Sequence, residues 1–233
     1  MNWLSLSDAR VSAMVTAECG ERLVAIAGLH PRLRIDDSAA NIACLGYQPK
    51  FTVRETVACR LVEAVSNLPS DYCLLVKEAL RPAALQRFYF ERRLRKVLVS
   101  NPGLAESDAI ELTSRFVAPP SVAGHPGGGA IDITLCDRNG CELDLGCAYD
   151  ADEVASGGAC FSQFENLNAH ARQHRSLMFA ALEDAGFVNY PFEWWHWSYG
   201  DKYWAVVKQE AHALYGPIES LEIAGLHPKN PRL

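Results

Sequence analysis

The chain has 233 residues, and its 22 Lys and Arg against 28 Asp and Glu give a formal net charge of −6 at pH 7. Hydrophobic residues make up 49% of the chain and charged residues 21%, which excludes a disordered, collagen-like or low-complexity chain. The acidic balance argues against nucleic-acid binding, which depends on neutralising phosphates.

No apolar run approaches the ~18 residues of a membrane span. The segment Met1 to Ala17 lacks a basic start followed by an apolar core, so we expect a cytoplasmic protein with no membrane partner.

The cysteines are too sparse for a disulfide framework and contain no Cys-x-x-Cys pair, so a four-thiolate zinc site is not indicated. Without a secretory signal we expect most of them to be reduced and buried. The eight are Cys19, Cys44, Cys59, Cys73, Cys136, Cys141, Cys147 and Cys160.

In the first half of the chain, apolar residues at helical spacing predict a helix over 57–68, which the Pro69-Ser70 pair ends. Residues 73–76 read as a short buried strand. Pro82 suits the first turn of a second helix that runs to about Val99.

In the second half, the proline- and glycine-rich stretch 119–129 predicts a loop, and 130–135 a strand with alternating isoleucines. A third helix is expected over 168–185. The aromatic and β-branched segments 187–199 and 203–207 predict strands. Because helices and strands mix without strict βαβ alternation, we expect an α+β fold, with a small antiparallel sheet flanked by helices, in one domain over residues 1–233.

The first segment with chemical potential places His125 in the glycine-rich loop and Asp132 on the strand that follows. Asp132 shares a strand face with the small Ala130 and Thr134, which leaves room for an ion or substrate. A buried carboxylate is costly unless it is paired or bound to a metal. From this segment alone, a hydrogen-bonded or solvated strand residue is an equally good interpretation.

The second segment, Pro191 to Trp197, contains Glu193 and His196 three residues apart. In a regular strand these side chains face opposite sides, so they can serve one site only if Glu193 lies at the strand end or beside a bulge. On its own, this segment is better explained as an aromatic core strand with a hydrogen-bonded histidine.

Together, His125, Asp132 and His196 offer two imidazoles and one carboxylate, which suits a catalytic zinc site that keeps a fourth position for water. Glu193 is placed to act as the general base. Arg81, at a strand-to-helix transition, could bind an anion or a developing oxyanion. A lone Arg-Pro is otherwise an ordinary surface arginine.

With these residues in view, the sequence resembles the VanX-type zinc D-alanyl-D-alanine dipeptidases, part of a wider group of zinc D,D-peptidases related to the hedgehog fold. Their signature is Ser-x-His-x-x-Gly-x-Ala-x-Asp, a distant Glu-x-x-His and an upstream Arg-Pro. Here it reads His125-x-x-Gly128-x-Ala130-x-Asp132, then Glu193-Trp-Trp-His196, with Arg81-Pro82 upstream. The resemblance spans about 35–207 and leaves 217–233 as a C-terminal extension.

The resemblance implies one Zn²⁺ per chain, bound by His125, Asp132 and His196 on the sheet. It implies a small dipeptide substrate, a proton shuttle at Glu193 and stabilisation of the tetrahedral intermediate by Arg81. The chain departs from the family at Ala123, where the family has serine, and this puts substrate preference in question. The Glu78-Ala-Leu lead into Arg81 replaces the commoner Asp-x-Tyr and reads as a minor change.

Two other functions stay open on the sequence. One is a cell-wall muropeptide D,D- or L,D-carboxypeptidase; the expected cytoplasmic location counts against it. The other is a zinc-containing module that binds ligands without turnover, against which the intact Glu193 counts. A panel of peptides of different lengths separates these alternatives from the dipeptidase.

Several other groups are better explained without a site. His170 and His174 could share a metal at helical spacing but lack an adjacent glutamate, so we expect a solvated helix face. The glycines 127–129 lead into a strand and fail as a phosphate loop, and Ser121 lacks a nucleophile elbow. A run of basic residues predicts a further solvated helix face. The run comprises Arg92, Arg93, Arg95 and Lys96.

Overall fold

The computed structural model describes residues 3–218. The helices are α1 (Ala9–Ala13), α2 (Ala39–Leu45), α3 (Glu55–Asn67), α4 (Ala83–Ser100), α5 (Glu106–Ser114), α6 (Glu153–Ser156), α7 (Ala169–Asp184) and α8 (Lys202–Lys208). The strands are β1 (Leu23–Ala25), β2 (Leu33–Ile35), β3 (Thr52–Arg54), β4 (Tyr72–Glu78), β5 (Ala130–Asp137), β6 (Val188–Tyr190) and β7 (Glu193–Ser198). The α+β class is confirmed.

The central element is a five-stranded sheet with the order β2-β4-β5-β7-β6. The β4–β5, β5–β7 and β6–β7 pairs are antiparallel, as expected, whereas β2 runs parallel to β4. β1 and β3 form a separate two-stranded ladder. β5 lies in the middle of the larger sheet, so its side chains can meet residues from β4 on one side and β7 on the other.

The hydrophobic core covers one face of this sheet. Ile131, Ile133 and Leu135 of β5 are fully buried in it, together with the apolar face of α3. Helix α7 contacts both α3 and β5. Because side chains alternate along a strand, this packing leaves Ala130, Asp132 and Thr134 on the opposite face, as the sequence predicts.

Most of the predicted elements form with small shifts in their ends, but the predicted strand over 203–207 is wrong. These residues belong to α8, which begins at the N-cap Asp201, whose carboxylate accepts a hydrogen bond from the backbone N–H of Trp204. Aromatic and β-branched residues favour strands only weakly. A capping carboxylate, together with burial of Tyr203, Trp204 and Ala205 on one side, outweighs that preference.

The expectation that most cysteines are buried is also wrong. Cys73, Cys136 and Cys160 are buried, whereas Cys19, Cys59 and Cys141 are exposed and the other two are half-buried. No disulfide joins any of the eight within the described residues. Cys19 and Cys141 lie outside the helices and strands, and Cys59 lies at an exposed position of α3.

Within residues 3–218, no helix combines the length and apolar character needed to cross a bilayer. The expected C-terminal extension lies outside the described residues from position 219 onward. Ile218 still belongs to the described fold, and its N–H donates to the carbonyl of Pro126 at 2.9 Å. The division into one domain over the whole chain stays a prediction.

Candidate metal centre and active site

Three neighbouring strands bring polar side chains into one row across the sheet. In the pairing register, Asp132 of β5 lies opposite His196 of β7 and, after a break in the β4 pairing, opposite Glu78 of β4. All three side chains are buried. The row stands on the face of β5 that the core leaves free, so the sheet itself gathers the two ligands that come from distant motifs.

His125 joins this row from a short 3-10 helical turn, His125–Gly127, that precedes β5. Gly128 ends the turn with φ of 73°, a left-handed conformation that favours glycine. His125 Nδ1 lies 2.7 Å from the carbonyl oxygen of Ala79. Because a carbonyl only accepts, Nδ1 carries the proton, and Nε2 keeps a lone pair directed into the site.

The three side chains converge on one point. His196 Nδ1 lies 3.0 Å from Asp132 Oδ1 and 3.3 Å from His125 Nε2, and His125 Nε2 lies 3.4 Å from Asp132 Oδ1. Ligands at about 2.0–2.1 Å from a tetrahedral zinc ion are roughly 3.3 Å apart. The donor set and its spacing therefore fit a zinc ion, and within the described residues this is the His/Cys/Asp/Glu group that could hold a metal.

A tyrosine holds the far oxygen of the candidate carboxylate ligand. Tyr149 donates from its hydroxyl to Asp132 Oδ2 at 3.1 Å, and its ring lies under the ammonium group of Lys77, 5.4 Å from the ring centroid. Buried Arg175 supports the loop that carries Tyr149 by donating to the carbonyls of Leu145 and Phe161, both at 2.7 Å.

Burial raises the pKa of Asp132, but the adjacent His125 and the hydrogen bond from His196 outweigh this effect, so the pKa of Asp132 lies well below its usual range.

Glu193 begins β7 at an irregularity in the sheet, the arrangement that the Glu-x-x-His spacing requires. The β6–β7 register shifts between Asn189 and Tyr190, so that Tyr190 pairs with Glu193. The side-chain amide of Asn189 lies within 3.0–3.3 Å of the carbonyls of Glu193, Trp194 and His196. The backbone N–H of Trp194 donates to the backbone carbonyl of Cys160, which lies outside the sheet. The strand end thus departs from regular pleating where Glu193 stands.

The Glu193 carboxyl is buried among other acids. Burial, and then the negative charges of Asp132 and Asp150, raise the pKa of Glu193 well above its usual range. Arg81 and Arg93 act in the opposite direction. A buried carboxyl with a raised pKa beside a metal-type ligand cluster is the environment expected of a group that accepts and returns a proton.

Arg81 is a buried, paired residue and not an ordinary surface arginine. Its Nε and Nη2 donate to the two carboxylate oxygens of Glu78 at 2.7 and 2.5 Å, and Nη1 donates to Gln86 at 2.7 Å. Tyr47 also donates to Glu78, at 2.6 Å. Burial lowers the pKa of Arg81, but the charge of Glu78 more than offsets it, so the guanidinium stays protonated. Its backbone N–H donates to the carbonyl of His125 at 3.4 Å, which ties it to the candidate metal ligand.

The structure brings His125, Asp132 and His196 together and ties Arg81 to His125, while the roles of these residues and of Glu193 stay predictions. It adds three residues that no sequence pattern indicated. Tyr149, Tyr47 and Asn189 act through the named ligands and charges, and no short motif marks them. The Glu78-Ala-Leu lead into Arg81 is more than a minor change, because Glu78 forms a buried ion pair with Arg81.

The histidine pair of α7 and the basic run of α4 lie outside the candidate metal centre. His170 is exposed, and His174 is hydrogen-bonded to the carbonyl of Asp144 at 2.8 Å, so the pair forms no metal cluster among the described residues. In the basic run, Arg95 and Lys96 are exposed as expected. Arg93 is not part of a solvated face, since its guanidinium carbon lies 4.5 Å from the ring centroid of Phe116.

Residues 38–213 match the peptidase M15 family, described as D-Ala-D-Ala dipeptidase. The chain belongs to this family. The match includes both histidines, the carboxylates and Arg81. The protein is therefore a metallopeptidase, and the predicted relation to the D-alanyl-D-alanine dipeptidases is confirmed.

This M15 peptidase resembles two curated relatives. It is 27% identical over 201 residues to the D-alanyl-D-alanine dipeptidase of Synechocystis sp. (strain ATCC 27184 / PCC 6803 / Kazusa), with 72% of this chain and 80% of that protein covered. It is 34% identical over 74 residues to the D-alanyl-D-alanine dipeptidase of Escherichia coli (strain K12), with 32% of this chain and 36% of that protein covered.

Two solved structures are also similar to the M15 peptidase chain. One is a mutant of the vancomycin-resistance D,D-pentapeptidase VanY in complex with Zn(II), with a TM-score of 0.43, 12% identity and coverage of 86% of this chain and 90% of that one. The other is the LdcB LD-carboxypeptidase, with a TM-score of 0.35, 18% identity and coverage of 68% and 64%. Membership of the family rests on the sequence match over residues 38–213.

Proposed function

We propose that this M15 peptidase hydrolyses D-alanyl-D-alanine, or a closely similar small dipeptide, in a zinc-dependent reaction. The observation that carries the proposal is the convergence of His125 Nε2, Asp132 Oδ1 and His196 Nδ1 within 3.0–3.4 Å of one another. Two nitrogens and one oxygen at that spacing, next to a buried Glu193, form the ligand set and base of a hydrolytic zinc site. The peptide class comes from the family and from the curated relatives, which are D-alanyl-D-alanine dipeptidases.

His125, Asp132 and His196 would hold the ion, one per chain. When bound, Zn²⁺ supplies Lewis-acid chemistry, which lowers the pKa of water from ~15.7 to about 7 and polarises a carbonyl. Ala79 fixes the tautomer of His125, and Tyr149 occupies the second oxygen of Asp132. Both contacts aim the remaining lone pairs of the ligands at one point.

Glu193 is the proposed proton carrier. Its carboxylate takes a proton from the attacking water as oxygen bonds to the scissile carbon, and passes it to the leaving nitrogen as the C–N bond breaks. Two free amino acids result. A carboxyl group suits this exchange, because the same oxygen atoms can accept the proton and give it up.

Arg81 is the proposed stabiliser of the tetrahedral intermediate. Glu78 and Gln86 fix the orientation of its guanidinium plane, which leaves the other N–H groups of Nη1 and Nη2 available for the negative charge that develops on the carbonyl oxygen. Because the guanidinium is held before substrate arrives, little reorganisation accompanies the reaction.

The test measures D-alanine released from D-alanyl-D-alanine by the purified protein, with zinc content assayed on the same sample. We expect release that a chelator abolishes and added Zn²⁺ restores. A parallel panel contains L-alanyl-L-alanine and longer cell-wall peptides ending in D-alanine. Preference for the longer peptides would favour the muropeptide carboxypeptidase, and full zinc occupancy with no hydrolysis of any peptide would favour the non-catalytic binding module.

Ala123 makes the substrate panel informative. It stands where the family signature has serine, so this chain lacks a hydroxyl near His125 at that position. The substitution leaves the candidate zinc ligands and Glu193 untouched, so we expect it to affect which dipeptide is preferred more than whether hydrolysis occurs. A cytoplasmic location stays a prediction of the sequence.

A further inference from the structure

Arg93 lies on the same stripe of α4 as two residues that contact Arg81. Gln86 accepts a hydrogen bond from the Arg81 guanidinium, and the ring of Tyr89 lies 5.4 Å from it. Residues three to four apart on a helix are neighbours on one face, so Arg93 follows Tyr89 one turn further along. The stripe therefore runs along α4 from the two residues that contact Arg81 to Arg93.

The guanidinium of Arg93 is held in place but has no ionic partner within the described residues. It stacks on the ring of Phe116, at 4.5 Å from guanidinium carbon to centroid. Its Nε is buried and makes no hydrogen bond with any described residue. Arg81, by contrast, uses the same atom to pair with Glu78. The Arg93 guanidinium therefore has N–H donors that no described residue uses.

The charges that act on Arg93 include that of the proposed proton carrier. The carboxylates that act on it are those of Asp152, Glu193 and Asp150. Glu193 is the proposed proton carrier, and the stripe of α4 that holds Arg93 also holds Gln86 and Tyr89, which contact Arg81. None of the three acids forms an ion pair with Arg93 in the described part of the chain.

We propose that Arg93, supported by Phe116, binds the terminal carboxylate of the dipeptide and so selects substrates with a free C-terminus next to the scissile bond. This inference rests on the proposed dipeptidase function and adds a specificity-determining residue to it. A guanidinium matches a carboxylate with two parallel N–H···O bonds, and an aromatic face beneath it keeps the plane fixed. Arg81, already neutralised by Glu78, is less suited to hold a second carboxylate.

The competing explanation is that Arg93 only offsets the negative charge of Asp150, Asp152 and Glu193. The two roles differ in their dependence on the substrate. A carboxylate-binding residue discriminates between a dipeptide and its C-terminal amide, whereas a residue that screens nearby acids affects both compounds alike.

The test compares D-alanyl-D-alanine with D-alanyl-D-alaninamide as substrates of the zinc-loaded protein. We expect the wild type to prefer the free acid, and Arg93→Met to raise its KM about 10- to 100-fold while the KM of the amide stays unchanged. Arg93→Gln serves as a second variant if the first fails to fold, and Arg93→Lys should restore part of the preference. Arg95→Met, which removes an exposed charge from the same helix, is the matched control and should change neither KM.

An equal rise in KM for acid and amide, or a wild type that shows no preference, would overturn the inference while leaving dipeptide hydrolysis intact. Failure of the wild type to hydrolyse either compound would instead overturn the proposed function. In that case titration calorimetry of the same two compounds decides the role of Arg93. Loss of the acid-over-amide preference in Arg93→Met supports it, and an unchanged preference contradicts it.

Discussion

Tyr149 donates a hydrogen bond to Oδ2 of Asp132 at 3.1 Å, while Oδ1 of the same carboxylate faces both imidazoles. One oxygen is thus occupied by a phenol and the other is directed at the candidate metal position. Asp132 is thereby set up to bind through a single oxygen. This relationship determines the orientation of the ligand before any ion binds, and it can be tested directly.

Replacing Tyr149 with phenylalanine should weaken zinc binding by about 10- to 100-fold, because a ligand carboxylate without its outer partner is less well oriented. Competition with a chromogenic chelator measures the dissociation constant without any substrate. Tyr72→Phe is the control, since Tyr72 lies at the opposite end of β4 from Glu78. Equal zinc affinity in Tyr149→Phe and wild type would show that this hydrogen bond does not position the ligand.

Glu193→Gln should keep zinc and lose turnover. The amide preserves the shape of the side chain but cannot accept the proton of the attacking water, and general base catalysis contributes typically 10²–10⁴-fold. We expect kcat for D-alanyl-D-alanine to fall by about that factor, with one zinc per chain retained on elemental analysis. Wild-type turnover in this variant would remove Glu193 from the mechanism.

Glu78→Gln should lower both stability and activity, because it leaves the Arg81 guanidinium without its counter-charge. The side chains of Glu78 and Arg81 are 1% and 13% exposed, and breaking such a buried pair costs about 3–5 kcal/mol of unfolding free energy. Urea unfolding provides the measurement. The control is Glu63→Gln on α3, whose pair with Arg60 is more exposed and contributes at most about 1 kcal/mol. Similar losses in the two variants would contradict a special role for Glu78.

The stability of the metal-free protein should depend on pH through Glu193. Its folded-state pKa is raised by burial and by Asp132 and Asp150, so the folded protein retains a proton that the unfolded chain releases above about pH 4.3. The unfolded state then binds fewer protons, and the contribution of Glu193 to stability falls as pH rises from there toward the folded pKa. We expect Glu193→Gln to become progressively more stable relative to wild type over this range, as measured by urea unfolding with chelator present. A difference that stays constant with pH would contradict this expectation.

The candidate metal ligands and the proposed proton carrier could be selected from the sequence because each occupies a motif that the sheet then brings together. Asp132 follows from strand alternation, and His125 from its place in the loop immediately before that strand. The condition attached to Glu193, a strand end or a bulge, is confirmed by the shifted β6–β7 pairing. What joined the two motifs was the β5–β7 register, which no local pattern encodes.

Other features depend on tertiary contacts and were missed or predicted wrongly. The composition of α8 is typical of a strand. Its N-cap, Asp201, is a single residue that indicates a helix start, and the aromatic and β-branched residues after it outweigh this signal in a prediction. Arg93 belongs to a run of basic residues that reads as solvated, and only the packing of α4 against Phe116 distinguishes it from Arg95. Tyr149 reaches Asp132 from a long loop, held there by Arg175, so its role is visible only once the fold is formed.

The side-chain amide of Asn189 lies against three carbonyls of β7. This contact makes the site sensitive to a change in the number of residues between Asn189 and Glu193. Inserting or deleting one residue between Asn189 and Glu193 would leave every ligand, acid and arginine of the site present in the sequence. If β7 kept its pairing with β6, it would slip by one residue against β5, and His196 would no longer lie opposite Asp132. The site is therefore encoded in the spacing of the backbone as firmly as in the identity of its residues, and a single indel at this corner would inactivate the protein without changing any of its active-site residues.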